Sequence, residues 1–389
     1  MINQMSKIPE MPKGVWENVK PLWEQHAIPI GRFGEAPERA ISARLMRIEA
    51  PEDRILAVPV LVPMQDKGLL MLSCNTEYAE KDCIHYAARM YSHDCGNTWE
   101  TLEFMNDDKA HFFGMNSMTA YLGDGRILAY PIPFEGTACD WRFMSEDCGR
   151  TWRPMSRIET KTGFFGNWDP PMLARDGSLW ETYYYIDGNR TEHALYRVSK
   201  DGGRSFGPDV EPEEWKGANE VKLFELANGT LLAGCRMANP NAETDQGDSL
   251  AVSRSEDHGI TWTPAVRIAP EGRMHPSFVE LPDGRVILTY VVREGYPDAE
   301  DGMPRFGVEA VVSVDGGRNW NTDKPYRLAE TKALFLGGHY RWASSVQSTS
   351  SILLKDGEIL TAFGTGHRCR FNERKRQLPR DIWLVRWKP

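Results

Sequence analysis

An eight-residue pattern that recurs five times is the strongest constraint on how this chain can fold. Ser-x-Asp-x-Gly-x-Thr-Trp occurs at residues 92–99, 145–152 and 255–262, and variants of it occupy 199–206 and 313–320. The aspartates stand at positions 94, 147, 201, 257 and 315, so the spacing varies only between 53 and 58 residues. A nearly constant period of this length is typical of repeat architectures, in which one structural unit is stacked several times.

Each copy has the composition of a tight turn between two strands. Asp and Ser side chains can accept hydrogen bonds from nearby backbone N–H groups, and glycine can adopt the left-handed conformation that other residues avoid. The Trp is a large apolar plate that can hold the turn against its unit. We therefore interpret the copies as structural turns and expect the functional site elsewhere.

A second repeat alternates with the first: short turns between two apolar runs, which are strong hairpin signals. Five are Asp-Gly or Asn-Gly and a sixth is weaker; they lie at 124–125, 176–177, 228–229, 283–284, 356–357 and 66–68. Five of the hairpins precede a Ser-x-Asp turn, and the sixth precedes a closing strand at 381–386. Six units of four strands predict an all-β fold, a six-bladed β-propeller.

The predicted propeller covers residues 51–389. Residues 1–50 are expected to be an N-terminal lead-in that packs on it, with a possible helix near 15–25. The last two hairpins are further apart than the others, which predicts an inserted loop over one face at about 321–345.

Composition excludes several classes of function. The net charge of -9, from 46 basic and 55 acidic residues, disfavours nucleic acid as a partner. The sequence has no apolar run of 18 residues, so no membrane span is predicted. The seven cysteines lack metal-ligand spacing, and no metal or cofactor is expected. The start of the chain lacks the apolar core of a signal peptide, which favours a cytoplasmic protein, although a secreted protein with its leader removed would look the same.

Functional residues are expected where the innermost strand of each blade begins, because these positions face one another around the channel. The position eight residues before each hairpin turn is occupied by Asn116, Trp168, Glu220, His275 and Ser348. Trp168 and His275 could equally be buried core residues. Glu220 is harder to explain without a function, because a carboxylate beside a channel needs a partner.

Several arginines are expected at the same mouth of the channel. Arg236 ends the hairpin that Glu220 begins, so the two should be neighbours. Arg293 and Arg368 end the corresponding strands of the fifth and sixth blades, and Arg305 begins the next strand of the fifth. Converging guanidinium groups bind a carboxylate with paired hydrogen bonds, although any one of these arginines could instead be a rim charge.

Together these features resemble the sialidase (neuraminidase) superfamily, in which the repeated turns are called Asp boxes; the resemblance covers nearly all of residues 50–389. The segment 219–236 is similar to the one in which the family's catalytic glutamate opens a hairpin that closes on an arginine of its carboxylate-binding triad. The resemblance implies these roles for Glu220 and Arg236. It also implies that Arg305, eight residues before Ser313, is the third arginine. Arg54, in Arg-Ile-Leu where the family has Arg-Ile-Pro, would be the first.

Two further roles are implied by the resemblance. The family's acid is an aspartate before the first Asp box, where Asp82 is the nearest candidate. Its nucleophile is a tyrosine at the start of the sixth inner strand, where this sequence has Ser348. Tyr340 and His339 lie in the expected loop, and one of them is expected to fill the gap, either Tyr340 with Glu220 as its base or His339 as a base.

The resemblance implies an exo-acting glycoside hydrolase that removes a terminal acidic sugar, either a sialic acid or a uronic acid. One alternative is a uronate polysaccharide lyase of the same fold, in which His275 or Tyr340 abstracts a proton beside a neutralised carboxylate. Another is an inactive propeller that binds glycans. In each case the expected partner is a carbohydrate that carries a carboxylate.

Overall fold

The structure, a computed structural model, describes most of the residues from 44 onward and two short pieces before them. The described ranges are 29–30, 41–42, 44–48, 50, 54–78, 85–100, 103–104, 115–131, 142–155, 164–166, 169–189, 191–239, 241, 247–294, 305–332, 348–364 and 381–389. The helix expected near 15–25 lies outside these residues. No helix in the described part of the chain has the length and apolar character needed to cross a membrane.

The secondary structure of the described residues consists of strands and two short 3-10 helices, Gln65–Lys67 and Glu213–Trp215. The strands in chain order are β1 (Pro29–Ile30), β2 (Ile41–Ser42), β3 (Arg44–Ile48), β4 (Arg54–Met64), β5 (Leu69–Tyr78), β6 (His85–Ser92), β7 (Glu103–Phe104), β8 (Met115–Gly123), β9 (Arg126–Pro131), β10 (Phe143–Ser145), β11 (Arg153–Pro154), β12 (Phe164–Gly166), β13 (Met172–Leu173), β14 (Leu179–Ile186), β15 (Glu192–Ser199), β16 (Ala218–Glu225), β17 (Leu231–Met237), β18 (Ser249–Ser255), β19 (Val266–Arg267), β20 (Arg273–Glu280), β21 (Val286–Glu294), β22 (Arg305–Ser313), β23 (Tyr326–Lys332), β24 (Thr349–Leu353), β25 (Ile359–Gly364) and β26 (Ile382–Trp387).

Among the described residues these strands form six four-stranded antiparallel sheets, in addition to the β1–β2 pair. Strands β4–β7, β8–β11, β12–β15, β16–β19 and β20–β23 form blades one to five, and β24–β26 join β3 in blade six. The inner strands contact one another in a closed order, β4, β8, β13, β16, β20, β24 and again β4. The predicted all-β, six-bladed β-propeller is therefore confirmed.

The ring is closed by a strand that precedes the predicted propeller boundary at residue 51. β26, expected from the sequence to be the closing strand, is the third strand of blade six. The fourth is β3, which pairs with β26 from Ile48 opposite Ile382 to Arg44 opposite Arg386. Strands from near the two ends of the chain are thus held in one sheet, which closes the ring of blades.

Part of the predicted insertion at 321–345 is regular structure. β23 lies within it and is the outer strand of blade five, paired with β22. The expectation that the whole range forms a loop was wrong, because the fifth blade needs this segment for its fourth strand. Residues 333–345 lie outside the described residues.

Both predicted turn repeats are present. The short turns join the first and second strands of each blade, and the Ser-x-Asp turns follow the third strand. In every Ser-x-Asp turn the Ser Oγ accepts a hydrogen bond from the glycine N at 2.7–2.8 Å. The Asp Oδ1 accepts one from the backbone N four residues later at 2.8–2.9 Å. Because both kinds of turn follow odd-numbered strands of a blade, they lie at the end opposite to the starts of the inner strands.

The apolar core lies between the blades. Each pair of adjacent blades shares a cluster of buried side chains, such as that of Val308, Phe363 and Trp383 between blades five and six. Equivalent clusters fill the other five interfaces. Because each blade buries both of its faces against neighbours, its strands are apolar on both sides, and polar residues near the channel stand out.

Candidate active site

A cleft lies where the inner strands begin and is lined from all six blades. The lining residues are Pro59, Val60, Met118, Asp169, Pro170, Lys222, His275, Pro276, Ser348, Thr349 and Ser350. Six of these residues are charged or polar, although the inner strands are otherwise rich in apolar residues. The inner parts of six blades therefore converge on a small, partly polar site in the channel.

Irregular backbone at the strand starts directs these side chains. The pairing of the inner with the second strand shifts between Ala218 and Val221 in β16, and between Met274 and Ser277 in β20. His275 has a φ of 53°, which is uncommon for a residue with a Cβ. Bulges of this kind re-aim side chains and occur near functional sites. The backbone oxygen of His275 accepts a hydrogen bond from Thr349 Oγ1 at 3.0 Å, which holds the bulge against blade six.

Glu220 is the centre of a buried ionic chain that joins blades four and five. Arg236 Nη1 donates to its two carboxylate oxygens at 3.1 and 3.0 Å, as the hairpin predicted. Arg236 also donates from Nε to Asp248 Oδ2 at 2.8 Å. On the other side, Nδ1 of His275 lies 3.0 Å from Glu220 Oε2. Arg236 is thus shared by two carboxylates, and Glu220 connects it to the histidine.

The electrostatics of this chain determine which nitrogen of His275 carries the proton. Burial alone would raise the pKa of Glu220, but Arg236 and His275 outweigh it and hold that pKa far below its usual range. The pKa of His275 is lowered, mainly by burial, although Glu220 opposes the shift. At neutral pH an ionised Glu220 can only accept, so the neutral imidazole donates from Nδ1 and presents a lone pair at Nε2.

Two atoms of the cleft are left without a hydrogen-bond partner. His275 Nε2 and Ser348 Oγ are both buried, and neither has a partner in the described part of the protein. Buried polar atoms are normally paired, and exceptions call for an explanation such as a catalytic role or a bound molecule. An imidazole oriented by a carboxylate, with its second nitrogen free, is the arrangement of a general base.

Two further ionisable residues, Asp169 and Lys222, face the same cleft. Burial, with a smaller contribution from Glu220, raises the pKa of Asp169 to about 7 despite the opposing charge of Lys222. Burial also lowers the pKa of Lys222 to about 8, although Asp169 opposes that shift. The cleft therefore contains one carboxyl group that can be protonated near neutral pH, Asp169, while Glu220, buried behind His275, stays ionised.

The structure brings together only part of the set expected from the sequence. Glu220, Arg236 and His275 are in contact, and Ser348 lies beside them in the cleft. Arg293 is buried and lowers the pKa of His275 through its charge. For three further candidates only the backbone is described: Arg54, Asn116 and Arg305. Five others lie outside the described residues: Asp82, Trp168, His339, Tyr340 and Arg368.

Three charged residues of the site were not among those predicted from the sequence: Asp169, Lys222 and Asp248. Asp169 follows Trp168 and precedes two prolines that interrupt the inner strand of blade three, and the fixed spacing selected its neighbour instead. Lys222 is a charged residue between the apolar Val221 and Leu223 of an inner strand, and that signal was available. Asp248 precedes β18 by one residue, where only the return of that strand to Arg236 reveals its role.

No group of His, Cys, Asp and Glu suitable for holding a metal ion occurs among the residues that the structure describes.

A family model supports the fold. The sequence matches the model of the BNR repeat-like domain over residues 114–354. No curated protein matches the sequence.

Solved structures show a similar fold at low sequence identity. A protein of unknown function from Dyadobacter fermentans is 18% identical with a TM-score of 0.63, covering 89% of this chain and 99% of that one. A Hadza microbial sialidase is 18% identical with a TM-score of 0.55, covering 85% and 65%. Trypanosoma rangeli sialidase, which has also been solved in complex with sialic acid, is 13% identical with a TM-score of 0.56, covering 95% and 59%. The chain thus spans less than two thirds of the length of either sialidase, and the likeness concerns the fold.

Proposed function

Because this chain belongs to the BNR repeat-like domain family and has the sialidase-like propeller fold, we propose that it is a glycoside hydrolase. Its substrate would be a glycan that ends in an acidic sugar, and it would act at that end. A cleft built from converging strand starts admits the end of a chain more readily than its middle. The T. rangeli protein with this fold binds sialic acid, which makes an acidic sugar the natural first substrate to test.

The observation that carries the proposal is the Glu220–His275 pair with the unpartnered Nε2 in the cleft. Neutral imidazole at this position can take a proton from a water molecule as that water attacks the anomeric carbon. Glu220 stays ionised, keeps the proton on Nδ1, and stabilises the imidazolium that forms. General-base assistance of this kind typically contributes about 100- to 10,000-fold to a rate.

The arginines expected to bind the substrate carboxylate are not all available for it. Arg236 already donates to Glu220 and Asp248, so it serves first to position Glu220. Arg54, Arg305 and Arg368 remain candidates for binding the carboxylate, and Asp82, Tyr340 and His339 remain candidates for proton transfer or nucleophilic attack.

The test is hydrolysis of nitrophenyl glycosides of sialic and uronic acids by the wild type and by His275→Asn. Asparagine tolerates the positive φ at this position but cannot act as a base. We expect kcat/KM to fall by about 100-fold or more. His258→Asn is the matched control, because His258 also has a positive φ, 57°, but lies exposed in a turn at the far end of the propeller.

A folded His275→Asn variant with full activity would overturn the proposed role of this pair. If the wild type releases no product from any substrate and only binds them, the hydrolase proposal fails and a glycan-binding propeller is supported.

A uronate lyase is the second candidate, and the same free nitrogen favours it. His275 Nε2 could abstract the proton next to a carboxylate whose charge Lys222 neutralises in the same cleft. A lyase forms an unsaturated uronate that absorbs in the near ultraviolet, whereas a hydrolase does not. Absorbance of the products from uronic acid oligosaccharides therefore separates the two reactions.

A further inference from the structure

Asp169 and Lys222 come from neighbouring blades and meet at the cleft beside His275. Asp169 lies between β12 and β13, where the inner strand of blade three is broken, and Lys222 lies in β16. Both side chains are partly buried. In the described part of the protein neither makes a hydrogen bond or an ion pair through its side chain. Their carboxyl and ammonium groups are therefore available to a molecule in the cleft.

We propose that Asp169 is the proton donor of this cleft and that Lys222 binds the carboxylate of the substrate next to it. This inference rests on the proposed hydrolase function. It assigns the acid to blade three, whereas the sequence resemblance had pointed to Asp82 in blade one.

The reaction balances with groups that the cleft contains. The proton of the Asp169 carboxylic acid moves to the glycosidic oxygen as the bond from that oxygen to the anomeric carbon breaks, and the electron pair of the bond stays on the oxygen. A water oxygen forms the new bond to the anomeric carbon, and its proton goes to His275 Nε2. The products are an alcohol and the free acidic sugar. Loss of the proton from the imidazolium and its gain by the Asp169 carboxylate restore the site through solvent.

The surroundings of Asp169 keep a proton on it when substrate is present. The charged and titratable groups that face it are Lys222 and Glu220 from β16, His275 from β20 and Cys235 from β17. Glu220 favours the protonated form and Lys222 opposes it. A substrate carboxylate paired with Lys222 cancels that opposition, so binding of an anionic sugar raises the pKa of the donor. Recognition of charge and delivery of the proton are thereby coupled.

The experiment compares two glycosides of one acidic sugar, with a nitrophenyl and a methyl leaving group. Nitrophenolate departs without protonation, whereas methoxide does not. We expect Asp169→Asn to lose about 100-fold or more in kcat on the methyl glycoside and less than about 10-fold on the nitrophenyl glycoside. Asp283→Asn, in an exposed hairpin turn, is the matched control and should leave both rates unchanged.

The wild type gives a test that needs no variant. Its kcat/KM on the methyl glycoside, which reports the free enzyme, should fall as the pH rises through about 7, since a deprotonated Asp169 cannot donate. The nitrophenyl glycoside should show little of this loss. Lys222→Gln should raise KM for the acidic sugar by about 10-fold or more but should not raise it for the methyl ester of that sugar. A change of this size is typical of the loss of one ion pair in a desolvated site. Lys216→Gln, which is exposed, should change neither value.

The outcomes distinguish failure of the roles of Asp169 and Lys222 from failure of the proposed hydrolase function. Equal losses on both glycosides, or full activity of Asp169→Asn on the methyl glycoside, would overturn the donor role while hydrolysis by the wild type keeps the proposed function. If Lys222→Gln raises KM equally for the acidic sugar and for its methyl ester, the proposed role of the lysine is wrong. If the wild type hydrolyses neither glycoside of any acidic sugar, the proposed function fails and the donor role fails with it.

Discussion

At the scale of single residues, a cluster of almost fully buried charges lies away from the cleft, between blades two and three. Glu181 Oε1 accepts hydrogen bonds from Arg142 Nη2 at 2.6 Å and from Arg197, and all three side chains are almost completely buried. The ring of Phe206, from a Ser-x-Asp turn, lies under both guanidinium groups at 5.2 and 5.0 Å. Burial would raise the pKa of Glu181, but the two arginines outweigh it and lower that pKa. This cluster ties one blade to the next, and its contacts assign it a structural role.

We expect Glu181→Gln to lower the free energy of unfolding by about 3–5 kcal/mol, because two buried guanidinium groups lose the carboxylate that they share. Urea denaturation at neutral pH measures this loss. Glu256→Gln is the control, since Glu256 pairs with Arg254 and Arg318 at 59% exposure and should cost about 1 kcal/mol or less.

The free energy of unfolding should depend on pH differently in the wild type and in Glu181→Gln. The folded pKa of Glu181 is lowered, so its contribution is present above the unfolded pKa and is lost as the pH falls through the folded one. The difference in free energy of unfolding between the wild type and Glu181→Gln should therefore become smaller at acid pH. A gap no larger than that of Glu256→Gln would show that the cluster contributes little.

At the scale of elements, the Ser-x-Asp turns connect blades as well as strands. In the turn at 145–152, Gly149 has a φ of +87°, and a Cβ built on it would lie 2.7 Å from Tyr91 Oη. Tyr91 belongs to β6 of the neighbouring blade, and its hydroxyl donates to the backbone oxygen of Cys148 at 2.7 Å. The glycine is thus required for two reasons, the left-handed backbone and the close approach of the tyrosine.

Two glycine substitutions separate these reasons. Gly177 has nearly the same φ, +85°, but a Cβ there would meet no atom within 4 Å. Gly177→Ala should therefore cost only the backbone strain, about 1–2 kcal/mol. Gly149→Ala should cost about 1–3 kcal/mol more, since the Tyr91 hydrogen bond is displaced as well. Urea midpoints of the two variants measure the difference, and equal losses would mean that the tyrosine contact adds nothing.

At the scale of the whole molecule, the propeller depends on closure between its two ends. Asp381, at the start of β26, accepts hydrogen bonds from Ala50 N at 2.8 Å and from Arg47 Nε at 2.8 Å. The carboxylate is buried and spans more than 330 positions of sequence to hold β3 in place. Closing so long a loop has an entropic cost, and this contact helps to offset it.

Asp381→Ala should loosen the closing strand. We expect a loss of about 1–3 kcal/mol in unfolding free energy, because a buried backbone N–H and a guanidinium lose their acceptor. Hydrogen exchange should become faster at residues 44–50 and in β26 before it changes in blades three and four. Asp323→Ala, in an exposed turn, is the control. Uniformly faster exchange in all six blades would contradict a local role for this contact.

The architecture was predictable from the sequence because the signals that encode it are local. A Ser-x-Asp turn is held by hydrogen bonds between residues at most four positions apart, and an Asp-Gly turn determines where two strands reverse. Five copies of one and six of the other were enough to predict six four-stranded blades. The contact of Glu220 with Arg236 was predictable for the same reason, since a tight hairpin brings its two ends together.

The tertiary structure alone decided which side chains share the cleft and which strand closes the ring. Bulges shift the pairing of the inner strands of blades four and five by one residue, and two prolines interrupt that of blade three. A constant spacing therefore did not select Asp169 or Lys222, which face the cleft. The pairing of Glu220 with His275 joins two blades, and the pairing of β3 with β26 joins the two ends of the chain. Such contacts depend on how the blades pack around the channel, and a pattern that repeats within each blade carries no record of that packing.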